Sequence, residues 1–224
     1  MNLTLGKLLA VFFGLVAIAF VGATLIMMWT RTERPAVTEE QVAQQAAAQR
    51  ALLAPRALPE FTLTDQTGAP FSKQDLAGKV WLANFIFTDC PGQCIILTNQ
   101  FKDFQEKIAD LEDVRLVSTS VNPETDTPEK LTAYARQYEA GDQWTFLTGE
   151  HDDVYALMEK GFLLSAAPNP DPETAALGET IIHSLKVVLV DADGNVRRYY
   201  EGLPEDSQEQ VLADIRALLP RAAP

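Results

Sequence analysis

Cys90 and Cys94 are the only cysteines in 224 residues, and both fall in the break Thr88-Asp89-Cys90-Pro91-Gly92-Gln93-Cys94. Thiolates attack disulfides and bind soft metals. Pro91 suits the first position of a helix, where its missing N–H would be unpaired anyway. The spacing therefore predicts Cys90 at a helix cap and Cys94 one turn inside. Residues four apart share a helix face, which would aim both sulfurs at one spot. The positive end of the helix favours thiolate and lowers a cysteine pKa from about 8.5 into roughly the 3.5–7.5 range, while Asp89 opposes this with a nearby negative charge. A purely structural bridge here would close too short a loop to contribute much stability. Of the two histidines, His183 stands where a proline-rich stretch enters an apolar strand, a functional position whose bland alternative is a strand-end histidine bonded to backbone. His151 follows Gly149-Glu150 at the start of a predicted helix and reads as a solvated first-turn residue, because a histidine gains nothing from the dipole there.

The elements that must position these residues are legible from periodicity. Val80 to Phe87 has the length and aromatic content of a buried strand, and Leu97, Phe101, Phe104 and Ile108 recur at the spacing of one buried helix face. The order around the cysteines is strand, loop, helix. Upstream, Phe61 to Thr64 and Phe71 flank Asp65-Gln66-Thr67-Gly68, which predicts a small hairpin. Downstream, Val114 to Val121 is a strand, and Asp126 or Thr127 can cap a helix that starts at Pro128 and buries Leu131, Tyr134, Ala135 and Tyr138. Trp144 to Leu147 is a short strand, followed by a helix through Val154, Leu157, Met158 and Phe162. Ser165 to Thr180 has neither period and reads as a loop. Leu185 to Val190 is a strand, Asp193-Gly194 signals a hairpin returning through Val196 to Tyr200, and Val211, Leu212, Ile215, Leu218 and Leu219 mark a C-terminal helix. This order fits an α/β sandwich around a mixed sheet, with the cysteines at the carboxyl end of a central strand, where such sheets place their sites.

The formal charge of −13 and the pI near 4.5 leave no basic cluster to neutralise phosphates, which argues against nucleic acid as a partner. Between Lys7 and Arg31 there is no charge, and Leu8 to Trp29 is long enough at 1.5 Å per residue to span about 30 Å of hydrocarbon. Residues 1–30 are therefore expected to be a transmembrane anchor. A cleaved signal peptide ending near Ala17-Ile18-Ala19 competes, but signal cores are shorter, about 7–15 residues. Positive charges on both flanks leave the orientation unspecified. Residues 31–57 read as an Ala/Gln-rich linker closed by Pro55, and 58–224 as the folded domain.

With these motifs in order, the chain resembles the Sco/SenC family of copper-binding assembly proteins. The resemblance is carried by Phe87-Thr88-Asp89-Cys90-Pro91-Gly92-Gln93-Cys94, Ser120-Val121-Asn122-Pro123 with Asp126-Thr127-Pro128, Trp144-Thr145-Phe146-Leu147-Thr148-Gly149, and His183-Ser184. It implies a thioredoxin-like fold, and Cys90, Cys94 and His183 as copper ligands. It also implies a role in building the copper centre of cytochrome c oxidase subunit II, with the domain on the periplasmic side of a bacterial inner membrane as a single-pass protein. Two thiolates suit Cu(I), and an imidazole helps such a site accept Cu(II). The pair must be reduced before it can hold metal. The chain departs from the family pattern at Gly92 in place of Asp, Ile95 in place of Pro, and Asn122 in place of Asp. Two other readings use the same residues: a thiol–disulfide oxidoreductase that reduces the target's cysteines before metallation, and a redox or copper sensor whose 165–180 loop moves on loading.

Overall fold

The computed structural model describes residues 16, 20–22, 55–178 and 180–219. Of the N-terminal unit, residues 16 and 20–22 are helical, and the rest of the expected transmembrane anchor lies outside the described residues, as does most of the linker. Among the described residues no helix is long and apolar enough to cross a membrane.

The strands are β1 (Arg56–Ala57), β2 (Thr62–Asp65), β3 (Pro70–Ser72), β4 (Val80–Ile86), β5 (Val114–Ser120), β6 (Trp144–Thr148), β7 (Ala166–Pro168), β8 (Ile181–His183), β9 (Val187–Val190) and β10 (Asn195–Tyr200). The helices are α1 (Gln93–Lys107), α2 (Pro128–Gln137), α3 (His151–Ala156), α4 (Pro172–Ala176) and α5 (Glu205–Leu218). Eight strands form one mixed sheet in the order β1-β10-β9-β4-β5-β6-β2-β3, in which β4, β5 and β6 run parallel and the flanking pairs antiparallel. The α/β architecture read from the alternating pattern is what forms. Pairing already includes Arg56 and Ala57, two residues ahead of the expected domain start.

Strand β4 is buried along its whole length because both its faces are covered, which is why it reads as a continuous apolar run rather than an alternating one. Trp81, Ala83, Phe85 and Phe87 face one core with Val154, Leu157, Met158 and Phe162. Val80, Leu82 and Ile86 face the other, with Leu97, Phe101 and Phe104 of α1 and Val211, Leu212 and Ile215 of α5. Phe162 packs edge-on against both Trp81 and Phe85, with ring centroids 5.9 and 5.6 Å away. The helical period through Val154 and Met158 ends in a widened turn over Leu157–Gly161, where Phe162 N–H reaches the Leu157 carbonyl at 2.9 Å.

The two predicted hairpins form. Asp65 Oδ1 accepts from Thr67 N–H, Thr67 O–H and Ala69 N–H and so holds the β2–β3 turn. Gly194, at φ +76°, closes the β9–β10 turn in a conformation that side-chain-bearing residues avoid. The stretch 165–180 is more ordered than its composition suggests. It forms β7, which pairs with β8 in a separate two-stranded ribbon, and the short helix α4, capped by Asp171 and started by Pro172.

Candidate functional site

The chain does not enter α1 at Pro91. Helix α1 starts at Gln93 with Gly92 as its cap, so Cys94 is its second residue and Cys90 lies ahead of it in a turn closed by Cys90 N–H donating to the Phe87 carbonyl at 3.3 Å. The expected helix start two residues earlier is displaced because Gly92 takes a non-helical backbone conformation, φ −126° and ψ −114°. Asp126 Oδ2 accepts the Thr88 backbone N–H at 3.0 Å, and Oδ1 accepts the Thr88 hydroxyl at 2.6 Å. Cys90 thus reaches the cavity it shares with Cys94 from the turn ahead of α1, not from a shared helix face.

Cys90 and Cys94 are not joined by a disulfide, and both are buried. His183 arrives from the ribbon strand β8, and its Nε2 lies 3.1 Å from Cys94 Sγ. The other ring nitrogen, Nδ1, is 3.0 Å from the Ser184 carbonyl oxygen. A carbonyl only accepts, so Nδ1 carries the proton and the Nε2 lone pair is turned toward the sulfur. The backbone-bonded histidine and the functional histidine of the sequence reading are thus one arrangement, the bond on one nitrogen aiming the other. Phe87 meets the imidazole edge-on, with centroids 5.8 Å apart, and fixes its plane. The three side chains line one cavity of about 140 Å³ together with Phe87, Gln93 and Ile181.

The electrostatics differ from the helix-terminus expectation. Cys94 is pushed well above the usual thiol range, first by its hydrogen bond with the Cys90 side chain, then by burial and by the charge that Cys90 would carry. Backbone N–H groups of Phe87 and Cys94 pull the other way and are outweighed, so in the metal-free reduced state Cys94 keeps its proton. Burial lowers the pKa of His183, opposed by the Ser184 carbonyl, which favours a neutral imidazole. Two thiols and a neutral imidazole are a soft donor set, while hard cations prefer oxygen. Among the described residues no three or more His, Cys, Asp or Glu side chains already stand at metal-holding distances, so a shared ion would have to draw these donors together.

His151 lies at the start of α3, half-exposed, stacked on Tyr155 at 4.1 Å and next to Asp152, in line with a solvated first-turn residue. Sequence reasoning missed the role of Asp126 by offering it, as the alternative to Thr127, only as the cap of α2. Thr127 is the cap, accepting from Lys130 N–H at 3.4 Å, and Asp126 turns inward. Of the departures, Gly92 is the cap residue of α1, Ile95 is partly exposed beside Cys94, and the Asn122 carbonyl accepts the amides of Thr125 and Asp126. Lys130 bridges Asp89 at 2.6 Å and approaches Asp126 at 3.8 Å, which neutralises the acidic residue that flanks Cys90.

The family model described as SCO1/SenC matches residues 49–220. The SCO1 protein homolog of Bacillus subtilis (strain 168) is 34% identical over 160 residues, covering 70% of this chain and 80% of that protein. A solved structure of BsSco, described as a member of the Sco family of cytochrome c oxidase assembly proteins with a disulfide switch, is similar at 33% identity and a TM-score of 0.63, covering 75% of this chain and 96% of that one. The structure of Bradyrhizobium japonicum ScoI with copper bound is similar at 26% identity and a TM-score of 0.59, covering 73% and 99%. The mixed sheet with flanking helices matches these thioredoxin-like structures.

Proposed function

The chain belongs to the SCO1/SenC family, and from that we propose that it binds copper through Cys90, Cys94 and His183 and passes it to a copper-accepting partner, subunit II of cytochrome c oxidase. The observation that carries this is the 3.1 Å approach of His183 Nε2 to Cys94 Sγ in the cavity that Cys90 also lines. The copper bound to Bradyrhizobium japonicum ScoI and the assembly role given for BsSco support the cargo and the class of partner. In this reading copper is the cargo. The two sulfurs give up their protons to it, and the imidazole contributes a lone pair already turned inward by the Ser184 carbonyl. Residues 1–30 anchor the chain in a bacterial inner membrane as a single span, with the folded domain in the periplasm. That arrangement is motivated by the uncharged run of residues 8–29 and by a compartment in which disulfides form.

A second reading, thiol–disulfide exchange with the acceptor's cysteines, is favoured by one observation: the two cysteines are reduced and hydrogen-bonded to each other. Oxidation of the pair to a disulfide would deliver two electrons to a partner disulfide and leave that partner as a dithiol ready for metal.

The deciding measurement is copper binding by the reduced full-length chain, using Cu(I) competition and Cu(II) absorption alongside Cys90→Ser, Cys94→Ser and His183→Ala. The expected result is one copper per chain, with affinity falling on the order of 100-fold in either cysteine variant and about 10-fold or more in His183→Ala. No binding by the unsubstituted chain, or unchanged affinity in His183→Ala, overturns the assignment. Disulfide exchange without copper binding would establish the second reading instead.

A further inference from the structure

We infer that Asp126 is a positioning residue for the cysteine pair, fixing the turn that carries Cys90 and so setting how readily the two sulfurs close on each other or on copper. Its carboxylate is fully buried, a placement that costs free energy unless donors surround it. Three do: the Thr88 N–H at 3.0 Å, the Thr88 hydroxyl at 2.6 Å and the Ser120 hydroxyl at 2.6 Å, with the Lys130 ammonium 3.8 Å away. Two of these bonds hold one residue, Thr88, which sits inside the turn closed by Cys90 N–H and the Phe87 carbonyl. Ser120 lies directly across the sheet from Ile86, so the third bond ties Asp126 to the neighbouring strand end and gives the clamp a rigid base. The local role that would otherwise explain an acid here, capping α2, is filled by Thr127.

The consequence is for pre-organisation. A thiol held by a fixed turn meets its partner at high effective concentration, and a loosened turn dilutes it. The copper half of the inference rests on the proposed function; the disulfide half does not. In the latter, the Cys90 and Cys94 thiols react with glutathione disulfide. An S–S bond forms between the two cysteines, the S–S bond of the oxidant breaks, and its two halves leave as glutathione carrying the electron pair and both protons.

The test equilibrates the full-length chain with glutathione and glutathione disulfide at neutral pH, and measures Cu(I) affinity by competition, for the parent chain, Asp126→Ala, Asp126→Asn, Thr88→Val and Leu212→Ala. Asp126→Ala is expected to lower the oxidised-to-reduced ratio about tenfold, equivalent to about 30 mV, and to weaken Cu(I) binding by a similar factor. Thr88→Val, which keeps the backbone bond, should move both about threefold in the same direction. Asp126→Asn keeps an accepting oxygen and can present its amide N–H to a rotated Thr88 hydroxyl, and should recover to within about threefold of the parent. Leu212→Ala loses stability in α5 without touching the turn and should leave the ratio within about twofold. Asp126→Ala and Thr88→Val both within twofold of the parent overturn the inference, as does an equal shift in Leu212→Ala. If Asp126→Ala does not fold, Thr88→Val decides alone. A parent chain that binds no copper while Asp126→Ala still shifts the disulfide ratio would remove the copper reading and leave the positioning role standing.

Discussion

Thr98, one turn beyond Cys94, shows how closely single side chains near the cysteines are committed. Its hydroxyl donates to the Cys94 carbonyl at 2.8 Å and accepts from the Tyr134 hydroxyl 2.9 Å away. Burial keeps Tyr134 protonated far beyond neutral pH, so that hydroxyl remains a donor needing an acceptor. Thr98→Val leaves it without this one, and the expected cost is about 1–3 kcal/mol in urea denaturation. Cu(I) affinity should stay within about threefold, because Thr98 bonds Cys94 through the backbone carbonyl and not through the sulfur. A stability loss under 0.5 kcal/mol, on the scale of ordinary surface substitutions, would mean that Tyr134 finds another partner. At this scale the sequence was informative about identity and poor about geometry. Cys90, Cys94 and His183 were visible as chemistry-bearing types, and the structure brings them to one cavity. What spacing could not convey was Asp126, because a buried bond between residues 38 positions apart leaves no local period.

Among the elements, the β9–β10 hairpin depends on one carboxylate. Asp191 accepts from the backbone N–H groups of Asp193 and Asn195, from the Asn195 amide and from Arg197 at 2.9 Å. Burial alone would raise its pKa, but the bonds from Asn195 and Arg197 outweigh it and hold the group below the ordinary carboxylate value. A folded pKa below the unfolded one contributes stability above the unfolded value, near 3.9, that is lost as pH falls through the folded value. Asp191→Ala should therefore cost about 2–3 kcal/mol at pH 7, with the gap to the parent closing as denaturation is repeated from pH 5 down to pH 2. A gap independent of pH would place the effect in packing. The turn itself was readable from Asp193-Gly194, as were β4 and β5 from their apolar runs and α2 and α5 from their helical periods. The ribbon of β7 and β8 was not: Ala166, Ala167 and Pro168 carry no alternation, and their pairing is set by Ile181, Ile182 and His183 across 13 to 17 residues. The Asp171-Pro172 start of α4 was a signal available in the sequence and passed over.

For the molecule as a whole, a sheet covered on both faces makes two cores, and the cysteine pair belongs to the one that Trp81, Phe85 and Phe162 fill. Phe104 belongs to the α1–α5 side of the core, three turns along the helix from Cys94. Phe104→Ala should cost about 3–5 kcal/mol in denaturation while leaving the Cu(I) affinity of the folded chain within about threefold. A much larger loss of affinity would show the site drawing its geometry from the far core. The fold class was legible because alternating strands and helices around an all-apolar central strand admit few arrangements, and the motif order pointed to the family that the comparisons bear out. The proposed membrane anchor rests on the sequence, since those residues lie almost wholly outside the described ones. The ribbon that delivers His183 hydrogen-bonds strand to strand only within itself, while both sulfurs are carried by the end of β4 and the start of α1 in the main framework. On the proposed assignment the imidazole is thus the donor that can let go first. An acceptor's ligand could take its place while two sulfurs still grip, so the ion would change hands without ever being released into water, and the speed of that exchange could be tuned separately from the strength of the grip.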